Sequence, residues 1–367
     1  APNIDVSFAL AGGIVLLACF RTKDGVPVTT GSILLIGYIA HFVTNFGPSS
    51  DPLPLWNYAL LIPIPLLAAI VVRWRVSAET WKPAIVVDAL LHACWLLALT
   101  NFLANHAPWF PAVIPAAALA IFLVSTKLPF HRLGEMTIVP ACVATCYTLA
   151  DFPRQEVAIW IGFVCILALW FFFAKRHTAL AWIGGILSTI YGLIGIGESF
   201  DYPWYAACVG GLALVFLTLW RIGNIRAAGW IAPFLFLCAF LMFASMRSGT
   251  PKDSEVVSCA LVGLSIFVAG LLASTAPEKL ISRPTRTTAT WIYAIAALVV
   301  FFFAFAWPQS TVFPFATALW GLVGIVFFTL GLVLRKRSLR LVGLFGLVLC
   351  IGRVFAIDIV DTFYRIL

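Results

Sequence analysis

Apolar runs of about 18–22 residues recur from one end of the chain to the other, separated by short polar connections. Each is long enough to cross a hydrocarbon layer of ~30 Å as an α-helix. Stretches such as VVFFFAFAW (residues 299–307) and WGLVGIVFFTLGLVL (residues 320–334) do not alternate. A membrane-spanning barrel needs that alternation, so the spans are expected to be helical. Composition agrees. Of 367 residues, 62% are hydrophobic and 10% charged, against ~25% charged in soluble domains. A soluble helical core of this length has no means of hiding so much apolar surface.

The turn-forming breaks KDGVP, GPSSDP, HRLGE, SGTPKD and APEKLISRPTR divide the chain into about 14 spans. Their expected ranges are 4–20, 27–46, 53–72, 83–104, 108–126, 136–150, 157–174, 178–197, 202–220, 227–246, 255–275, 288–306, 312–334 and 341–362. The expected fold is therefore an all-α polytopic transmembrane bundle. Residues 1–367 are expected to form a single membrane domain, with no soluble domain among them.

Charge gives this bundle an orientation. Of the 23 Lys and Arg residues, 18 fall in odd-numbered connections, including Arg73, Arg75, Lys82, Arg335, Lys336 and Arg337; three, Arg154, Arg247 and Lys252, fall in even-numbered ones. Short basic loops stay on the cytoplasmic side. The odd loops are thus expected inside, with both termini on the outer side of a bacterial cytoplasmic membrane. An outward N-terminus that begins with Ala1 suggests a removed signal peptide or, preferably, part of a longer chain. The net charge of +8 resides in these loops and does not read as a nucleic-acid surface.

No Walker loop, GxSxG, HExxH or paired CxxC occurs, so the usual catalytic signatures are missing. All nine cysteines lie in apolar runs, which speaks for packing rather than disulfides. Neither a metal nor a cofactor is expected. Two histidines, His41 and His92, fall within spans; His106, His131 and His177 lie at span ends or in loops. In the fourth span Asp88 and His92 are four residues apart, hence on one helix face. His41 lies in the second span, on one face with Asn45. Ionisable groups at such depth usually face the bundle interior. Asp88, His92 and His41 therefore form a candidate proton or ion relay; the alternative is a structural hydrogen bond between helices.

The last span carries Arg353, Asp358, Asp361 and Arg365. On a helix starting near Arg340, the last three cluster within about 60° near the outer end, and Arg353 lies deeper. Arg353 is expected to be held by a neighbouring helix, through a backbone carbonyl or a carboxylate such as Glu198, Asp201 or Asp88. The pattern Arg340, Gly343, Leu344, Arg353, Val354, Phe355, Asp358, Tyr364, Arg365, Ile366, Leu367 resembles the C-terminal membrane region of a bacterial predicted membrane protein family, domain of unknown function 2339. The resemblance covers about 28 residues. It implies a many-span membrane protein with no established activity. Members of that family usually carry Lys at the position of Arg353 and continue with a further span.

Three function classes follow. A membrane scaffold or accessory subunit would contact other membrane subunits helix to helix, within the lipid bilayer. A transporter or permease would couple protons or ions at Asp88 and His92, although strongly polar residues within the spans are sparse. An enzyme acting on lipid-linked substrates would need paired acids on an outer loop, and Glu198 and Asp201 in GESFDYPWY are the candidates. The scaffold is the leading reading.

Overall fold

The computed structural model describes residues 11–12, 25–45, 55–75, 83–107, 109–127, 132–151, 156–175, 178–245, 253–278, 280–306 and 315–358. Every regular element among them is helical. The helices are α1 (Gly25–Asn45), α2 (Leu55–Leu61), α3 (Pro63–Arg75), α4 (Pro83–His106), α5 (Phe110–Ser125), α6 (Leu133–Met136), α7 (Ile138–Asp151) and α8 (Glu156–Ala174). They continue with α9 (Thr178–Ser199), α10 (Trp204–Gly223), α11 (Arg226–Ser245), α12 (Asp253–Ser274), α13 (Arg283–Phe305), α14 (Ala316–Val333) and α15 (Arg337–Arg353), and a π-helical turn follows at Val354–Asp358.

Eight of these stretches are long and apolar enough to cross a membrane: Ile85–His106, α8, α9, α10, α12, α13, α14 and Arg337–Ala356. Shorter apolar helices lie at Thr30–Ala40, Asn57–Ile70, Phe110–Ser125, Leu133–Leu149 and Arg226–Met242. The span expected at 4–20 falls almost wholly outside the described residues. The helices group into two compact units, residues 1–195 and 196–367, and the division falls inside α9.

Local chemistry explains where helices break and where they do not. The third expected span is two helices, with a turn at Ile62. Pro63 and Pro65 have no N–H to return to the carbonyls of Ala59 and Leu61, so the α2 ladder stops there. The glycines of GLIGIG (Gly192, Gly195, Gly197) cause no such break, and α9 runs through them. At α13 the helix begins at Arg283, five residues before the expected 288, because Ser282 caps it with extended backbone and Pro284 fills its first turn.

In unit 1, α4 is the central element. It packs on α1, α2, α3, α5, α6 and α7, and residues 91–98 are buried without interruption. A helix hydrophobic on all faces belongs in the middle of a bundle. Elsewhere in this unit α8 crosses α5 at Gly162, where an added Cβ would collide with the Pro111 carbonyl oxygen. In unit 2, α14 and α15 form a hairpin closed by Arg335 in the left-handed conformation (φ 53°). Its turn bonds, Lys336 N–H to Gly331 O at 2.9 Å and Arg335 N–H to Leu332 O at 3.1 Å, make a Schellman cap. Gly343 lets α15 lie directly on the α14 backbone at Phe328; small residues at such crossings are how membrane helices approach closely.

Gly162→Ala is expected to cost about 1–3 kcal/mol, the usual penalty for overpacking, and to lower the melting temperature in detergent. Gly211→Ala, where a Cβ meets open space, should leave it unchanged. Equal melting temperatures for the two variants would contradict the α5–α8 crossing.

Candidate functional site

A buried carboxylate and a buried imidazole lie together on α4 of unit 1, where Asp88 is 4% exposed and His92 0%. One turn of helix brings them together as the four-residue spacing requires. His92 Nε2 lies 3.3 Å from Asp88 Oδ1, and neither carboxylate oxygen receives an aligned hydrogen bond among the described residues. The other ring nitrogen has a defined partner. Trp95 Nε1–H donates to His92 Nδ1 at 2.9 Å. An indole N–H can only donate, so Nδ1 must be unprotonated and the ring proton sits on Nε2, toward Asp88. Trp95 is in turn fixed by apolar neighbours from α3, α5 and α6, with Leu66, Ile121 and Leu133 in its cluster.

Nδ1 is thereby occupied as an acceptor, and placing a proton on it would require breaking the Trp95 bond. Asp88 and His92 are brought together as the sequence suggests, and Trp95 is the member that sequence reading missed. Its signal was present, since Trp95 follows His92 by three residues and Asp88 by seven and so shares their face. His41 lies on α1, but its side chain is outside the described residues.

A second polar group sits on another face of α4. Tyr58 of α2 donates to Asn101 Oδ1, Asn101 Nδ2 donates to Tyr147 OH of α7 at 3.0 Å, and Asn105 Nδ2 donates to the Asn101 carbonyl at 2.9 Å. This chain joins three helices. A third tie depends on a proline. Pro115 inside α5 cannot return an N–H to the Pro111 carbonyl. Tyr191 of α9 donates its hydroxyl there instead, at 3.2 Å, and shares a 3.0 Å bond with Thr148 of α7.

In unit 2, Arg353 is 7% exposed and ends α15 where the winding widens to the π-turn. Its guanidinium carbon lies 4.8 Å from the centroid of the Trp320 ring of α14. Trp320 stacks on Phe302 of α13, with centroids 4.2 Å apart and planes within 4°. An aromatic face of a neighbouring helix is thus among the partners of Arg353, one that the sequence reading had not considered. Asp358 lies in the π-turn with its side chain outside the described residues, as are Asp361 and Arg365 altogether.

The loop carrying Glu198 and Asp201 is tied down by Ser258 Oγ–H, which donates to the Pro203 carbonyl at 2.7 Å. Partial burial and a hydrogen bond with Glu255 push the Tyr202 phenol on this loop up to about 12. Among the described residues no group of three or more His, Cys, Asp and Glu side chains is placed to hold a metal ion, and the eight described cysteines are free. Comparisons with family models, curated proteins and solved structures find no match.

Nitrogen-15 NMR of labelled histidine should show His92 as the neutral Nε2–H tautomer, and Trp95→Phe should release that preference. An imidazolium or an Nδ1–H ring in the parent protein would overturn the site geometry. For Arg353, a double-mutant cycle with Arg353→Leu and Trp320→Leu should give a coupling of about 0.5–2 kcal/mol, read from unfolding in detergent. Strict additivity would mean that the two side chains do not support each other.

Proposed function

We propose that this protein is a multi-pass helical bundle of a bacterial cytoplasmic membrane that acts as a scaffold or accessory subunit, contacting other membrane proteins through its helices. The observation that carries this reading is how the buried polar side chains are used. Tyr58, Asn101, Tyr147, Tyr191 and Ser258 all bond across helices or to a neighbouring loop of the same unit. They tie the bundle together rather than line a route for a polar solute. In the same reading the chain has about 14 spans with both termini outside, and its C-terminal pattern reflects kinship with the domain of unknown function 2339 family. The basic connections support the orientation: those at Arg221, Arg286 and Lys336 lie together at one end of unit 2, around the end of α12.

A second reading rests on Asp88. A carboxylate buried at this depth, with His92 beside it and no aligned donor, is costly unless it holds a proton or a cation for part of a cycle. In that reading the protein is a proton- or ion-coupled transporter.

Topology is checked with an impermeant maleimide. Asp201→Cys should label in intact cells and Ser282→Cys only after permeabilisation; the reverse pattern would invert the orientation. The two functions separate in reconstituted vesicles. As a scaffold, the chain alone should pass no protons down a pH gradient, and extraction into native nanodiscs should retain a stoichiometric membrane partner. Proton flux that Asp88→Asn abolishes, with folding intact, would replace the scaffold by the transporter.

A further inference from the structure

Between α13 and α15 runs an apolar groove of about 380 Å³, lined by Trp291, Ile295 and Val299 on one wall and by Leu341, Phe345 and Leu349 on the other. Its α13 wall extends from Trp291 as far as Phe302, a helical rise of roughly 16 Å. That is about half of a ~30 Å hydrocarbon layer, the depth of one leaflet. Ile295, Val299 and Phe345 are 49%, 52% and 58% exposed, so the groove opens sideways as a lipid-filled furrow would.

One end of the groove is charged. Arg337 lies one turn before Leu341 on the same face of α15 and is exposed. Arg340 follows Arg337 by three residues on the side of α15 turned to α14, where its Cγ packs over Gly331; it is half-buried, with its Nε shielded from solvent and without an acceptor among the described residues. Four other cations near this end are engaged, and Arg335, in the turn itself, is exposed. Arg221 donates to Thr275 Oγ1 at 2.6 Å, Arg286 to the Ala276 carbonyl at 2.9 Å, Lys336 to the Ser274 carbonyl at 2.8 Å, and Arg283 to Glu278 at 2.8 Å. Arg337 and Arg340 are thus open to an outside anion at the end of the groove that Trp291 and Leu341 line.

We propose that this groove is a binding site for an anionic phospholipid, with one acyl chain along α13 and α15 and the phosphate on Arg337 and Arg340. An apolar chain one leaflet long and a negative headgroup at its end are what the furrow and the two arginines together complement. A zwitterionic lipid offers the same chain and no net charge, so it should bind more weakly.

Native mass spectrometry of the delipidated full chain, titrated with phosphatidylglycerol or with phosphatidylcholine of the same chains, tests this. Phosphatidylglycerol should be retained about tenfold more tightly. Arg337→Gln with Arg340→Gln should remove that preference and leave phosphatidylcholine unchanged. Val299→Trp, at an exposed position, should weaken both lipids by filling the furrow. Equal binding of the two lipids overturns the proposal, as does a preference that survives the double substitution. If glycerol phosphate without chains displaces the lipid fully and Val299→Trp has no effect, the arginines form a free-anion site and the groove plays no part.

Discussion

A helix end inside a membrane protein presents carbonyl groups that the helix itself cannot satisfy, and unit 2 is organised around one such end. At the C-terminus of α12, Leu272, Ser274, Thr275 and Ala276 meet Arg221 from α10, Arg286 from α13 and Lys336 from the α14–α15 turn. The partial negative charge of the helix terminus favours cations there, typically by 0.3–1 kcal/mol each and by ~2 kcal/mol when partly buried. Charges that lie in three separate connections therefore serve one structural purpose, holding α10, α13 and α15 to a common axis. The same residues that give the sequence its asymmetry also lock the bundle.

Unit 1 meets the same constraint by other means. Its freed carbonyl arises inside a helix, at Pro111, because Pro115 offers no donor. Gly162 leaves room for α8 beside it, and the Tyr191 hydroxyl completes it. One proline thus fixes the meeting of α5, α8 and α9. The Tyr58–Asn101–Tyr147 chain does similar work around α4. These bonds are neutral and in a site without competing water. Such interhelical bonds are typically worth about 0.6 kcal/mol and at most ~1.7, so several are needed where unit 2 uses cations.

How much of this was legible in the sequence depended on whether the signal was local. Helix class and most helix boundaries were, since an apolar run and its flanking turn residues are contiguous. Asp88 and His92 were, since their pairing lies within one turn. Trp95 could have been read from the same periodicity. The exceptions are tertiary. Nothing near Arg353 announces Trp320, because their meeting depends on how α14 and α15 slide past each other at Gly343 and Phe328. Nothing near Pro115 names Tyr191, 76 residues farther on. The proline predicts a vacant acceptor but not its donor. The early start of α13 was missed for a different reason: hydropathy marks where a helix becomes apolar, whereas Ser282 and Pro284 mark where it begins.

The two buried charges show why depth alone does not decide function. Arg353 is always ionised, so the fold must supply it with partners, and the Trp320 face is one of them. A carboxylate has another option, since it can take up a proton and cease to be a charge. Around Asp88 the fold leaves that option in place: the adjacent ring is held in one tautomer by Trp95 and no cation is paired with the acid among the described residues. Arg353 is thus bound into its unit as a fixed structural charge. Asp88 is instead held beside His92 within one helix, and among the described residues no second helix is hydrogen-bonded to its carboxylate.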